Sequence, residues 1–401
     1  MQRTTGSMIG EVADERDGPL AESDRLPAII VAITLFLITA AVNLQVPLYQ
    51  TYADAAGYGG GPTAVAFAAY VGGLLPVLIL LGGISDRIGR KPVILVGLIA
   101  ASSATALMLR WPDIHTLFAA RILQGIGVGL SVGAGTAYLA ERFVQADGPT
   151  RAASYAAVTT SVGFGSGALF TSAALLYRHS LTPLSFWAVL FPTLCCIVFV
   201  ARLPQPRALA RATSAQVRLP HFPAGTLAYS FAIGTAWAVT GLVIAIVPKE
   251  LRRHALASWA GVALFLVNGT GAACQPLARR MKATTALRAG LLILPVGYAL
   301  LVIGAWRGAL IVVLAGAAVA GAACYGFTYL GGLNAVSQAA GADRARAVSG
   351  YFLFAYLGFG IPSVCIGFLA DRFGVVSTLA GFGVIVLAAS IALLLRLRHG
   401  Q

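Results

Sequence analysis

Twelve stretches of this chain each run for about twenty residues with almost no charge, and no other feature constrains the fold as tightly. A helix needs about 20 mostly apolar residues to cross the hydrocarbon core of a bilayer, where every backbone polar group must be satisfied within its own segment. The runs fall at approximately 27–49, 63–84, 92–109, 114–140, 152–177 and 181–201, then at 223–247, 255–277, 286–305, 309–332, 346–369 and 375–396. None shows the ten-residue alternation of a membrane barrel strand. The expected class is therefore an all-α membrane protein with 12 transmembrane helices. A chain that is 58% hydrophobic and 10% charged cannot clothe a water-facing surface, which excludes a soluble enzyme and a disordered chain. The net charge of +14 would suit nucleic acid, but the positions of the charges remove that class.

Lys and Arg are retained on the cytoplasmic side of membrane proteins. With the N-terminus inside, 20 of the 28 basic residues fall in cytoplasmic segments and seven on the other side; Arg121 lies within a span. Both termini are thus expected in the cytoplasm. The cluster Lys249, Arg252 and Arg253 goes against this trend, beside Glu250. The acid-rich start of the chain (Glu11, Asp14, Glu15, Asp17, Glu22, Asp24) is unlike a secretory signal. The expected organisation is a cytoplasmic tail over 1–26, a six-helix bundle over 27–201, a basic cytoplasmic loop over 202–222, a second six-helix bundle over 223–396, and a short tail over 397–401.

An internal repeat supports this division. A shift of 195 positions lays Val162-Gly163-Phe164-Gly165 on Leu357-Gly358-Phe359-Gly360, Arg151 on Arg346 and Ser154 on Ser349. The two bundles are therefore expected to be pseudo-symmetric.

The loop after the second span reads Gly82-Gly83-Ile84-Ser85-Asp86-Arg87-Ile88-Gly89-Arg90-Lys91. Glycine permits close approach of helix ends, Asp86 can accept bonds from a helix N-terminus, and the Arg/Lys cluster suits an anionic lipid leaflet. This loop resembles the signature of the major facilitator superfamily, G-x-L-A-D-R-x-G-R-K, in its bacterial 12-helix form. The resemblance implies two pseudo-symmetric six-helix bundles, a secondary transporter rather than an enzyme, and a conformational latch formed by Gly82, Asp86, Arg87, Gly89, Arg90 and Lys91. In the family this loop is thought to tie the first half to helix 11 when the carrier faces outward. The segment Gly367-Phe368-Leu369-Ala370-Asp371-Arg372-Phe373-Gly374 echoes it after span eleven, on the opposite side, and is read as a helix-end lock.

Span four adds Arg121-Ile122-Leu123-Gln124-Gly125-Ile126-Gly127, which resembles the family's R-x-x-Q-G-x-G motif. A charge within a span costs several kcal/mol unless it is paired or wet, roughly 3 kcal/mol on insertion scales, and so points to function. Asn43 and Gln45, at similar depth in span one, are its expected partners, and Arg121, Gln124, Asn43 and Gln45 form the candidate coupling group. Gly125, Gly127 and Gly129 are expected to let helix four pack closely, as are Gly163 and Gly165 in helix five. The Gly-Pro step of proton-driven exporters is missing from helix five, where Ser166 stands in place of Pro.

Helices 1, 4, 7 and 10 line the central cavity in this family, with 2, 5, 8 and 11 contributing, and the polar and aromatic residues there nominate Tyr138, Tyr229, Trp237, Thr240, Asn268, Tyr325, Tyr329 and Asn334 as cavity residues. No acid lies in the middle third of a span, so the cavity should take a neutral or anionic organic solute with an aromatic part. The expected activity is movement of such a solute across the inner membrane by alternating access, coupled to protons, with export of a metabolite or drug preferred. The alternative is an uptake permease, by proton symport or facilitated diffusion, for a nutrient or vitamin-like aromatic solute. The five cysteines form no CxxC pair, no metal or cofactor site is expected, and G-x-x-x-x-G-K-[ST] is missing. The expected partners are a small-molecule substrate, the lipid bilayer and protons, with no nucleic acid and a monomeric state.

Overall fold

Helices here run as far as the chain's apolar stretches allow, then a turn longer where polar residues can reach water. The structure, a computed structural model, describes residues 22–142, 148–205 and 219–399. These are helical, with no strand among them. Helices α1 (Glu22–Asn43) and α2 (Tyr49–Ala55) together make the first span. Then come α3 (Gly60–Leu80), the short α4 (Ile84–Ile88), α5 (Arg90–Arg110), α6 (Ile114–Arg142), α7 (Gly148–Tyr177) and α8 (Leu184–Arg202). The second bundle holds α9 (Leu227–Ala245), α10 (Val247–Arg253), α11 (Ala260–Arg279), α12 (Ala283–Arg307), α13 (Leu310–Gly321), α14 (Tyr329–Ala339), α15 (Arg344–Phe373) and α16 (Val375–His399).

Eleven helical segments among the described residues are long and apolar enough to cross a membrane. The remaining expected span is α7, rich in Gly, Ala, Ser and Thr; its 30 residues reach about 45 Å at 1.5 Å per residue, more than a hydrocarbon core of about 30 Å. Residues 22–26 and 397–399, expected in the tails, belong to α1 and α16. The rest of the N-terminal tail, 206–218 of the central loop, and residues 400–401 lie outside the described residues, as do Arg3, Arg16, Arg207, Arg211 and Arg218.

Spans one and seven are broken at matching depths. Pro47 lacks an amide hydrogen, so α1 stops at Asn43, a single 3-10 turn covers Val46–Leu48, and α2 restarts. Pro248 likewise sits in the first turn of α10, beyond the break at Ile246. The expected end of span one near Leu48 is thereby moved to Ala55.

The repeat appears as paired packing. On α7, Gly163 lies against Thr39 and the Phe36 carbonyl of α1, while Gly165 lies against Phe265 of α11. Their counterparts on α15 do the same: Gly358 meets Gly234 of α9, and Gly360 faces Val71 and Ala68 of α3. Within the first bundle Gly125 admits the Tyr70 carbonyl of α3, Gly127 approaches Gly97 of α5, and Gly129 meets Val77. A side chain at Gly125, Gly127, Gly163, Gly165 or Gly358 would collide with backbone, so small residues set the helix spacing there, whereas Gly360 has room for a methyl group in ordinary contact. The outer tips of α1 and α16 mark one end of the bundles, the terminal end; the other is the distal end.

Candidate transport cavity and its closures

A cavity of about 730 Å³ lies between the bundles and reaches the terminal end, where Gly82, Ile84, Ser85, Arg344, Ala345 and Ser349 form its mouth. Its two walls differ. The first bundle supplies mostly aliphatic and small residues, among them Leu74, Leu78, Val128 and Gly129, with one ring, Phe164. The second supplies rings: Trp237 of α9, Tyr325, Tyr329, and Phe352 and Tyr356 of α15. Trp237 stands edge-on to Tyr356 at 5.0 Å and lies 5.6 Å from Tyr325; Phe352 lies 6.1 Å from Tyr329. Two buried polar atoms on this wall have no partner, the indole Nε1 of Trp237 and Oε1 of Gln275. Among the described residues Arg344 is the one charged lining residue, and no lining residue is a carboxylate.

Tyr325 owes its position to backbone irregularity. Residues Ala322–Thr328 form a π-helical segment between α13 and α14. Such a segment inserts an extra residue into the turn and rotates the side chains beyond it, a device common at functional sites.

Of the nominated cavity residues, Trp237, Asn268, Tyr325 and Tyr329 line this space, Asn268 also donating to the Leu264 carbonyl at 3.0 Å. The other four do not. Tyr138 is buried and its hydroxyl donates to the Pro204 carbonyl at 3.0 Å, which pins the end of α6 to the chain after α8. Tyr229 packs against a small apolar cluster with Leu287 and Leu291, Thr240 is buried inside the second bundle, and Asn334 faces outward on α14. Gln275, Phe352 and Tyr356 were not singled out from the sequence. A Gln within an apolar run and aromatics spaced i, i+4 on one helix face were the available signals.

The distal end is closed. Asp371 accepts from the amides of Gly60 and Gly61, at the N-terminus of α3, at 2.8 and 2.7 Å, and from Lys249 Nζ at 2.7 Å. Unpaired amides and the positive end of the helix dipole make that N-terminus a natural seat for a carboxylate. Asp54 pairs with Arg252 across the bundles at 2.5 Å, with both partners about half exposed. Deeper in, the rings of Phe67 and Phe359 meet at 4.7 Å. Beyond this barrier a second pocket of about 740 Å³ indents the distal end, lined by Gln50, His179 and Arg252 among others. Two pockets at opposite ends, parted by one barrier, are the layout that alternating access requires.

The signature loop is held by its own bundle. Asp86 pairs with Arg90, which also reaches Glu141 at 3.0 Å and Ser85 at 2.8 Å, while Lys91 donates to the Leu203 carbonyl at 3.1 Å. Gly82 lies at the cavity mouth, Arg87 sits in the last turn of α4, and Gly89 takes φ of +97° to turn the chain into α5.

Arg121 is 1% exposed. Its Nη1 donates to the Val42 carbonyl at 2.7 Å and to Gln124 Oε1 at 3.2 Å, and its Nη2 to the Phe67 carbonyl at 3.4 Å. Gln124 Nε2 donates to the Ala41 carbonyl at 2.9 Å and to Gln45 Oε1 at 3.3 Å. The expected direct pairing with Asn43 and Gln45 is therefore corrected: Asn43 Nδ2 donates to the Phe164 carbonyl at 2.7 Å, and Gln45 is reached only through Gln124. The break after Asn43 explains this. It leaves the last-turn carbonyls of α1 without helical partners, and Arg121 and Gln124 satisfy them.

The sequence pattern of the Major Facilitator Superfamily matches residues 31–361. The chain belongs to this superfamily. It is a multi-pass membrane transporter, not an enzyme, and such transporters bind small-molecule substrates within the membrane. The fold is similar to that of the nucleoside transporter NupG: its D323A form gives a TM-score of 0.72 at 13% identity, over 91% of this chain and 99% of that one, and the form without that substitution gives 0.69 at 14%. The partially occluded inward-open xylose transporter XylE of E. coli gives a TM-score of 0.58 at 16% identity, over 87% and 96% of the two chains. Sequence relatives are partial. A probable vesicular acetylcholine transporter-B of Danio rerio is 32% identical over 170 residues, 39% of this chain and 34% of that protein. The multidrug resistance protein MdtL of Salmonella choleraesuis is 38% identical over 65 residues, 16% of either chain. The superfamily transporter's alternating-access layout thus rests on the fold, while the cavity chemistry is this chain's own.

Proposed function

We propose that this transporter moves a small neutral or anionic organic solute with an aromatic part across the inner membrane by alternating access, in the direction of export. The observation that carries this is the cavity wall of Trp237, Tyr325, Tyr329, Phe352 and Tyr356, with no carboxylate among the described lining residues. Rings offer faces for stacking, Trp237 Nε1 offers an unmet donor and Gln275 Oε1 an unmet acceptor. A cation would lack a counter-charge there and would meet Arg344 at the mouth.

The terminal end is cytoplasmic in this proposal. Its basic residues, including Arg87, Arg90, Lys91, Arg279, Lys282 and Arg398, support that orientation. The arrangement described above is then inward-facing, and the chain acts as a monomer. Similarity to a multidrug resistance protein favours export, although the match is short. Protons are the proposed driving ion, and Asp54, paired with Arg252 across the distal closure, is the acid proposed for that coupling. Uptake of a vitamin-like aromatic solute is the second reading, favoured by Ser166 where exporters carry Pro.

The test is flux in proteoliposomes with an imposed pH gradient. A panel of neutral, anionic and cationic aromatic solutes is offered from each side, for wild type and Trp237→Leu. The proposal expects neutral or anionic compounds to move, at least tenfold slower in the variant and slower with an uncoupler. Preferential movement of organic cations, undiminished by Trp237→Leu, would overturn it.

A further inference from the structure

Arg121 carries a problem that its carbonyl partners do not solve. Among the described residues Arg121 and Glu250 are the two buried charged side chains, and Glu250 has Arg253 at 3.4 Å. Arg121 has no carboxylate partner; its three acceptors are neutral oxygens. The C-terminal dipole of α1 offers at most about half a negative charge. Three rings stand round the guanidinium, with Tyr70 at 4.8 Å, Phe67 at 5.4 Å and Tyr49 at 6.0 Å from Cζ.

Four buried polar atoms in this neighbourhood have no partner: Arg121 Nε, Gln45 Nε2, Tyr49 Oη and Tyr70 Oη. Each can donate a hydrogen. Gln45 Oε1 is already used by Gln124, so what Gln45 has left is its donor face. Buried polar groups are almost always satisfied, and four unmet donors beside one uncompensated cation make a site of positive potential. A dry apolar pocket would leave both the donors and the charge unanswered. Water could meet the donors but brings no charge.

We propose that Arg121, Tyr49, Tyr70 and Gln45 form an occluded site for one small monovalent anion, a halide or a carboxylate. The anion accepts from Arg121 Nε and the unmet donors while the Nη groups stay on Val42 and Phe67. The site lies behind Phe67, whose carbonyl binds Arg121 and whose ring meets Phe359 in the distal closure. Entry of the anion is thereby tied to the parting of that closure. None of its four residues is among those lining the ring-lined cavity, and the site's existence does not depend on what that cavity carries.

The test is equilibrium binding to the purified full-length protein in nanodiscs, read by thermal unfolding. Sodium gluconate is replaced by chloride, nitrate, acetate or benzoate at constant ionic strength. At least one of these anions is expected to raise the unfolding temperature saturably. The charge-neutral double variant Tyr49→Phe/Tyr70→Phe should weaken that response at least about tenfold, the worth of a hydrogen bond to a charged group. Arg121→Gln should remove it, and should this variant fail to fold, the tyrosine variant decides. Saturation by chloride alone assigns the anion to the medium; stronger binding of acetate or benzoate assigns the site to a solute's acid group. A response equal in wild type and double variant, or no saturable response to any of the four anions, overturns the site. Anion binding without solute flux would leave the site standing while the transport proposal failed.

Discussion

Two loops in this transporter share one design and meet different fates. Gly82–Lys91 and Gly367–Gly374 both place Asp-Arg-x-Gly at the end of one helix, and both turn into the next on a left-handed glycine, Gly89 at φ +97° and Gly374 at +86°. At the open terminal end Asp86 pairs with Arg90 of its own loop, which is moored to α6 and α8 of its own bundle. At the closed distal end Asp371 reaches across to the N-terminus of α3 and holds Lys249 beside it. The interaction expected of Asp86, a carboxylate on a foreign helix N-terminus, is thus made by Asp371. The lesson is that an acid of this design closes whichever end it spans, and the motif alone does not say which end is closed.

The comparison can be broken most forcefully by bulk. Gly367 approaches Ala64 and the Gly60 carbonyl, so Gly367→Leu should wedge the distal end open. Maleimide labelling of a cysteine placed at Ala64 is expected to quicken by more than about tenfold, and solute flux to fall by a similar factor; unchanged labelling would place the closure elsewhere. Next is Asp371→Asn, which removes a charge-assisted helix cap and the Lys249 pair. A loss of about 2 kcal/mol should move the ratio of distal-open to distal-closed carrier by roughly 30-fold, measured as the distance between spin labels on the distal tips of α3 and α15. Asp86→Asn should act in the opposite direction and more weakly, because Asp86 serves its own bundle here. About 1 kcal/mol or less is expected, with the distal end staying closed in the same spin-label measurement.

The smallest effect on that ratio belongs to Asp113→Ala. Asp113 caps α6 within one bundle, accepting from the amides of His115 and Thr116 at 2.8 and 2.9 Å and from the Thr116 hydroxyl. Partial burial pushes its pKa up, but these donors outweigh it and hold the carboxyl below its ordinary value. A depressed acid contributes stability above its unfolded pKa and loses it as pH falls through the folded value. Asp113→Ala should therefore lower stability by about 1 kcal/mol near neutral pH, with little penalty in strong acid, and leave the open-to-closed ratio unchanged. Thermal unfolding across pH, with the spin-label distance as control, would show it.

The span count was legible because the requirement is local: a bilayer demands about 20 apolar residues from each segment, wherever it stands in the bundle. The repeat was legible as well, and its glycines proved to be matching contact points on α7 and α15. The break at Pro47, which shapes the Arg121 site, left a visible proline, but the sequence did not show that the freed carbonyls would be answered from α6 rather than by Asn43. In the cavity, Trp237 and Tyr325 could be nominated by helix number. Gln275, Phe352 and Tyr356 could not, because helix number alone does not say which face of α11 or α15 turns to the cavity. Tyr138 was nominated in error for the same reason, since helix number ignores the direction a side chain takes.

What this sequence determined by itself was its solvent, its helices and its family, because hydrophobic length, backbone satisfaction and the Asp-Arg-x-Gly loop are all properties of contiguous residues. What only the tertiary structure decided was which groups meet. It put Asp371 on the α3 N-terminus, gathered five rings on one wall, and left Arg121 buried among unmet donors without a carboxylate. Those outcomes depend on helix rotation and crossing, fixed to within a side chain's width by glycine contacts between segments far apart in the chain.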